Sequence, residues 1–344
     1  AASDVYKRQL QVGVQWPLTR RLAGSLRPQA DWGWEPVRRV ARNTLPVISS
    51  QGIFQISTLV DISLATMVGM SAMSALGYSQ RLLSLPIRLF GSSVAAASIP
   101  ERSRDATAAR LRPRLVNGFF QILFFVLPTA VFFILFGDVV IKAVYERREF
   151  TEVSTVLVAS VLGTYALGLV ASSSLKLFAS GFHALQDTAT PMKLAAISVG
   201  VAIATAVYLT LTARSRLPDA YQPYAAMAIA LGGAAGAWLN LLLLWGALSR
   251  RLGGLFVPSA VTATVRLGVG ALAAAGAGGL ARSWLAPRVP GDGFVATLGL
   301  LLGIAAAGAI PYLLIARRPP PVSYTHLTLP TKVLVCSSGW GGVG

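Results

Sequence analysis

Apolar and polar positions fall in long blocks along this chain, not in the two-residue rhythm of strands. Eight apolar stretches are separated by short polar segments: Leu45–Val68, Ala72–Ile99, Val116–Val144, Val153–Phe178, Leu194–Leu211, Tyr224–Leu248, Pro258–Leu280 and Phe294–Ile315. At about 1.5 Å per helical residue, each is long enough to cross a hydrocarbon core of about 30 Å. Within a bilayer every backbone N–H and C=O must find its partner inside the segment, so runs of this length predict helices. The alternation of a membrane barrel is missing. The expected fold is all-α, a polytopic membrane bundle of about eight transmembrane helices. Leu10–Leu18 reads as the tail of an earlier span.

Composition agrees. Hydrophobic residues make up 54% of the chain and charged residues 12%, a membrane composition. The formal charge of +17 does not imply nucleic acid, because the cations sit between apolar blocks, not in a stripe with interleaved aromatics. One set of alternate loops holds Arg20, Arg21, Arg27, Arg38, Arg39 and Arg42, then Arg102, Arg104, Arg110, Arg112 and Arg114, then Lys193, Arg250, Arg251, Arg317 and Arg318. The other set holds fewer: Lys142, Arg147, Arg148, Arg214, Arg216, Arg282 and Arg288. The richer set is cytoplasmic by the positive-inside rule. A single cysteine, Cys336, excludes an intramolecular disulfide and a cysteine-rich metal site.

The two ends break the pattern. Residues 1–9 are polar and lead nowhere, and Val322–Lys332 abruptly follows a basic, proline-rich helix end. Both strings resemble translated sequencing-adapter read-through, with a pair of disordered tails as the alternative. The expected organisation is therefore an artefactual tail at 1–9, a truncated helix end and basic cytoplasmic loop at 10–43, a transmembrane lobe at 44–318, and an artefactual or disordered tail at 319–344. The missing initiator methionine predicts a natural N-terminus upstream.

Candidate chemistry lies in the few polar residues inside the apolar blocks. Asp61 is mid-span in the first. Arg81 and Arg88 lie seven residues apart in the second, nearly two helical turns, so they share a face about 10 Å apart along the axis. Pro86 between them predicts a kink. Tyr165, Ser172 and Lys176 fall at spacings of seven and four, one polar stripe on an apolar helix. A cation at membrane depth costs about 3 kcal/mol and persists where it faces a cavity or a partner. The plain alternatives are that Asp61 pairs with an arginine to lock two helices and that Arg88 and Lys176 snorkel to the headgroups. Read together, the cations suit a water-filled cavity for an anionic substrate, since arginine binds phosphate bidentately and keeps its charge.

No catalytic set can be assembled. His183 stands in a loop without a second histidine or cysteine, and no metal motif or phosphate loop is present. Gly232-Gly233-Ala234-Ala235-Gly236 and Gly268–Gly279 read as small-residue packing surfaces. At the hairpin Gln186-Asp187-Thr188-Ala189-Thr190-Pro191, threonine before proline predicts that Thr190 caps the next helix and Pro191 lies in its first turn. Asp187 and Thr188 shape the turn.

These residues resemble a family. Gln55-Ile56-Ser57 with Asp61, Tyr78-Ser79-Gln80-Arg81-Leu82 with Leu85-Pro86 and Phe90-Gly91, and Ile99-Pro100-Glu101-Arg102 are similar to helices seven and eight of MurJ lipid II flippases and the loop that follows. Tyr145 to Phe150, Tyr165 to Leu169, Lys176, Gly181-Phe182-His183 and the Gln186–Pro191 hairpin are similar to the ninth-to-eleventh helix region, and Asn240 fits a recurrent asparagine in helix twelve. The resemblance covers about Leu10 to Arg318. It implies a bacterial inner-membrane transporter of fourteen helices in two lobes, of which this chain holds helices seven to fourteen. It implies lipid II, or a similar polyprenyl-diphosphate lipid, as partner, moved to the outer leaflet by alternating access. Arg81, Arg88 and Lys176 would line the substrate cavity, although a small residue is usual at Arg88. Asp61 matches a position that helps bind sodium in some members. Ala202 and Ala206 stand where its polar partners are often found, so sodium or proton coupling stays open. No other cofactor, metal or enzymatic step is implied. Without an N-terminal lobe the chain is not expected to flip lipid alone. The alternatives are another polysaccharide-lipid or multidrug exporter of the same superfamily, a non-transporting membrane scaffold and, more remotely, a membrane enzyme.

Overall fold

The computed structural model describes residues 9–10, 12–17, 20–21, 35–94, 108–145, 152–218, 223–255, 258–288 and 294–316. The expectations for the tails, apart from Gln9, lie outside these residues. Residues 1–47 and 48–344 form two units; in the first, the described residues 12–17 are helical and exposed.

The long helices among the described residues are α1 (Glu35–Val68), α2 (Met70–Pro86), α3 (Ala108–Tyr145), α4 (Glu152–Ala166), α5 (Leu169–Ala184), α6 (Ala189–Arg216), α7 (Ala226–Arg251), α8 (Pro258–Leu285) and α9 (Phe294–Ala316). No strand occurs among the described residues. Among the described residues five helices are long and apolar enough to cross a membrane: α3, α6, α7, α8 and α9. The bent pair α4–α5, taken as one span, makes a sixth. The expected count of eight is not confirmed among the described residues. The apolar part of α1 is only Gln55–Val68. α2 stops at Pro86 after 17 residues and continues as a π-helix over Ile87–Ser92. Proline blocks one backbone hydrogen bond and forces the winding to change, the kink its position predicts.

The fourth apolar stretch also differs from expectation. It is not one helix but two, bent by 42° between Ala166 and Leu169. The 28-residue α6 and 26-residue α7 run unbroken beside it. They pack through small residues: a Cβ on Gly232 would stand 2.8 Å from the Ala206 Cα, and one on Gly236 2.5 Å from the Ala202 Cβ. Only glycine allows this approach, which replaces hydrophobic driving force with close dispersion contact. The Gly232–Gly236 run is thus the packing surface its composition predicts. In the second run, Gly270 and Gly278 meet Tyr312 and Phe136, whereas Gly268, Gly276 and Gly279 have open space.

α3 is the central post. Its outer half meets α4, its cytoplasmic half meets α5, and the α8–α9 pair packs along it. Tyr312 donates to the Phe124 carbonyl. At the outer end Arg282 grips Asp138 through both guanidinium nitrogens, one at 3.1 Å. α2 rests on α4, where Ser79 Oγ donates to the Val158 carbonyl at 3.0 Å. The core runs through all of these contacts and includes Phe178, Phe182, Leu115 and Leu248.

Candidate functional site

A polar cleft of about 280 Å³ lies where α2, the α4–α5 break and α7 meet. Gln80, Ser84 and Ile87 reach it from α2 and its π-helical continuation. Tyr165, Gly168 and Ser172 come from the broken helix, and Gly233 and Ala234 from α7. The periodicity explains this lining. Gln80, Ser84 and Ile87 recur every three or four residues, one helical face. Tyr165 and Ser172 keep to one stripe despite the break between them. Gln80 Nε2 donates to the Tyr165 hydroxyl at 2.9 Å, which leaves the tyrosine proton available to a ligand or water. Asp61 is half-buried and close enough for its charge to act on Tyr165.

The expected cavity cations are placed differently. Arg81, Arg88 and Lys176 are all exposed, and none lines this cleft. Arg81 stands over the ring of Tyr78 at 5.8 Å, in the range of a cation–π contact. Tyr78 in turn packs on Tyr145, with ring centroids 4.8 Å apart. Arg88 falls in the π-helical turn, so the shared face inferred from α-helical spacing does not carry over unchanged. Among the described residues no ion pair joins Asp61 to any of the three cations. The structure therefore brings together Tyr165, Gln80, Ser84 and Ser172, with Asp61 beside them, and leaves the cations on the surface of the bundle.

The sodium question can be put to the same coordinates. Ala202 and Ala206 are buried against Gly236 and Gly232, filling that helix face with methyl groups. Beside Asp61 stand the Tyr165 phenol and the Gln80 amide.

The hairpin between α5 and α6 is dense in hydrogen bonds. Gln186 takes a positive φ of 59° to make the turn. Asp187 Oδ1 accepts from the backbone N–H of Ala189 and of Thr190, at 3.1 and 2.9 Å. Its Oδ2 accepts from Thr190 Oγ1 at 2.6 Å and from Arg251 Nη2 at 2.7 Å. Asp187, not Thr190, thus satisfies the free amides of α6. A carboxylate offers two acceptor oxygens and suits the positive end of the helix dipole, so it displaces threonine from that role. Thr188 precedes the helix, Thr190 is its second residue, and Pro191 lies in the first turn as expected. Burial alone would raise the Asp187 carboxyl, but the Thr190 hydrogen bonds and the Arg251 guanidinium hold it below the usual carboxylate range. Arg251 also lies over Phe182 at 5.5 Å, so one side chain ties α5, the turn and the end of α7. Both partners belong to the loops that the charge pattern assigns to one side of the membrane.

Sequence reading missed Trp238, whose Nε1 donates to the Leu167 carbonyl at the break, at 2.8 Å. It also missed the Asp138–Arg282 pair, 144 residues apart. The signal for Trp238 was an indole, one of two with Trp245, in an alanine- and leucine-rich helix. Asn240, matched by resemblance, is buried with its Oδ1 unpartnered among the described residues.

Comparison with known proteins places this arrangement. A family model described as "Lipid II flippase MurJ" matches residues 9–297. A probable lipid II flippase MurJ of Rhizobium meliloti is 31% identical over 318 residues, covering 89% of this chain and 56% of the relative. The lipid II flippase MurJ of Burkholderia cenocepacia is 28% identical over 230 residues, covering 65% and 41%. A solved structure titled "Lipid II flippase MurJ, inward closed conformation" shares the fold with a TM-score of 0.63 at 21% identity, over 79% of this chain and 53% of that one. The chain spans about half the length of these relatives. With most of its length matched by the family model, the chain belongs to the MurJ lipid II flippase family.

Proposed function

We propose that this chain serves in the bacterial inner membrane as one lobe of a lipid II flippase, carrying a lipid-linked peptidoglycan precursor from the cytoplasmic to the outer leaflet. The family match over residues 9–297 carries this reading. The share of the relatives that the chain spans supports a partner lobe supplied by the rest of the protein. Transport of this kind needs binding and release on alternate sides, with no bond made or broken, which agrees with the lack of a catalytic set in the sequence.

Arg81 is the proposed contact for the diphosphate. Its guanidinium is exposed on the bundle surface, held at one end by Tyr78, with its remaining donors available to a planar pair of phosphate oxygens. Lys176 and Arg88 add positive field on the same path. A second lobe closing over this surface would remove water and strengthen each contact. Coupling to an ion, proton or sodium, is left to Asp61, half-buried near the Tyr165 phenol.

Complementation tests this. A chimera joining the N-terminal half of the Rhizobium meliloti relative to residues 35–316 should restore growth to a flippase-depleted strain. Arg81→Ala in the chimera should abolish growth while the protein still inserts. Growth unaffected by Arg81→Ala would remove Arg81 from the substrate path.

A further inference from the structure

Three helices of the bundle are discontinuous, two of them at one cleft. α4 gives way to α5 at Leu167–Gly168, with the 42° bend. The α2 helix changes to π-helical winding at Ile87, and Ile87 and Gly168 line the same polar cleft. α3 leaves helical geometry at Phe136, and a Cβ on the adjoining Gly137 would stand 3.5 Å from the Ala159 carbonyl of α4. α6 and α7 are unbroken.

The α4–α5 break is held asymmetrically. On one side lies α7. Trp238 Nε1 takes the freed Leu167 carbonyl at 2.8 Å, and a Cβ on Gly168 would stand 2.8 Å from the Ala234 Cα. Beside the break, lined by α2 and by Gly233 and Ala234 of α7 itself, lies the polar cleft, whose volume of about 280 Å³ has room for several waters. Water there can satisfy backbone groups that a change of angle would expose. One indole hydrogen bond therefore fixes the angle, and solvent reduces the cost of altering it. Below the break, Asp187 and Arg251 join the α5–α6 turn to the end of α7 at 2.7 Å, and the glycine–alanine contacts join α6 to α7.

We propose that Leu167–Gly168 is a flexure point: α5, clamped to α6 and α7, swings as one body against α4, and the Trp238–Leu167 hydrogen bond sets the resting angle. Nothing in this depends on which molecule is carried. It assigns the polar cleft the role of a wet joint and Trp238 that of its pin.

Spin-label distances on the full chain in lipid nanodiscs test it, with Cys336→Ser removing the one native thiol. Labels at Val153 and Leu211 report α4 against α6. Labels at His183 and Leu211 report within the proposed moving body. All three positions are exposed. The 15-residue α4 is an arm of about 22 Å, so a 10° swing moves its outer end by about 4 Å. Trp238→Phe keeps the ring and removes the donor. It should shift or broaden the Val153–Leu211 distance by a few ångströms and leave His183–Leu211 unchanged. Gly168→Ala, pressing α5 away from Ala234, should shift the first pair and not the second. In the unsubstituted chain, amide exchange at residues 167–170 should outpace that of residues 158–165 and 177–182. An unchanged Val153–Leu211 distance in both variants, equal shifts in both label pairs, or uniform protection across the break would each overturn the proposal.

Discussion

Two clefts of similar volume sit in this bundle, and they differ in almost everything else. The first, about 280 Å³ among α2, the α4–α5 break and α7, is lined by Gln80, Ser84, Tyr165 and Ser172. The second, about 340 Å³ between α3, α8 and α9, is lined by Phe124, Phe125, Phe132, Pro128 and Ile304, with Tyr312 at one wall. In the second cleft the one phenol turns its hydroxyl away, onto the Phe124 carbonyl, so the remaining surface is apolar. In the first cleft the phenol accepts from Gln80 and keeps its own proton free. A bilayer exerts no hydrophobic force between helices, so such gaps are filled by what their walls prefer. Apolar walls suit lipid chains; polar walls suit water. Each cleft borders irregular backbone: Ile87 and Gly168 at the polar one, Phe90 and Phe136 at the apolar one. What separates them is the chemistry of their walls, since only the polar cleft offers water to backbone groups that a bend frees.

The contrast can be broken most forcefully by charge. Ala274→Asp puts a carboxylate into the apolar cleft and should destabilise the protein by about 3 kcal/mol. Gly233→Asp does the same in the polar cleft, where the new Cβ meets only the Tyr165 ring at 3.7 Å, and should cost less than half as much. Thermal midpoints in one detergent compare the two. Equal losses would mean that the clefts do not differ in hydration.

Removing the two phenol hydroxyls sharpens it further. Tyr165→Phe removes the buried hydroxyl that accepts from the exposed Gln80 amide and should cost about 1.5 kcal/mol. Tyr312→Phe loses one hydrogen bond to a backbone carbonyl and should cost about 1 kcal/mol. A reversed order in chemical denaturation would show that the Tyr312 wall, not the Gln80–Tyr165 pair, carries the polar contribution.

How much of this was legible in the sequence varies with the range of the interaction responsible. The α6–α7 contact was readable, since Gly232 and Gly236 recur on one face and small residues have one use there. The hairpin was half readable. Its position and Pro191 were set by local chemistry, but whether Asp187 or Thr190 held the amides depended on which oxygens reached them. The bend at Leu167–Gly168 was not readable, because glycine inside an apolar run signals close packing as well as a break. What decides is Trp238, 71 residues away. Asp138 and Arg282 likewise read as separate polar positions until α8 is laid on α3. The cations were found as residues, yet their surroundings depend on how α2 turns at Pro86, which spacing alone did not give.

The smallest expected effect is one of pH at the hairpin, outside both clefts. The Asp187 carboxyl is held low in the folded chain. Its contribution to stability is therefore present above the ordinary aspartate pKa of about 3.9 and is lost as pH falls through the lower folded value. Its partner Arg251 is 45% exposed, so screening keeps the change modest. Amide exchange at Ala189 and Thr190 should rise below about pH 4, and Asp187→Asn should remove that rise. An unchanged pH response in Asp187→Asn would assign the effect to another group.

Translocation itself gives the most direct measurement. The chimera with residues 35–316, reconstituted in proteoliposomes carrying labelled lipid II in one leaflet, should move the label to the other leaflet, and Arg81→Ala should lower that rate at least tenfold, the equivalent of about 1.4 kcal/mol. Transfer at an undiminished rate with Arg81→Ala would contradict the placement of this chain's exposed arginine on the path of the lipid diphosphate.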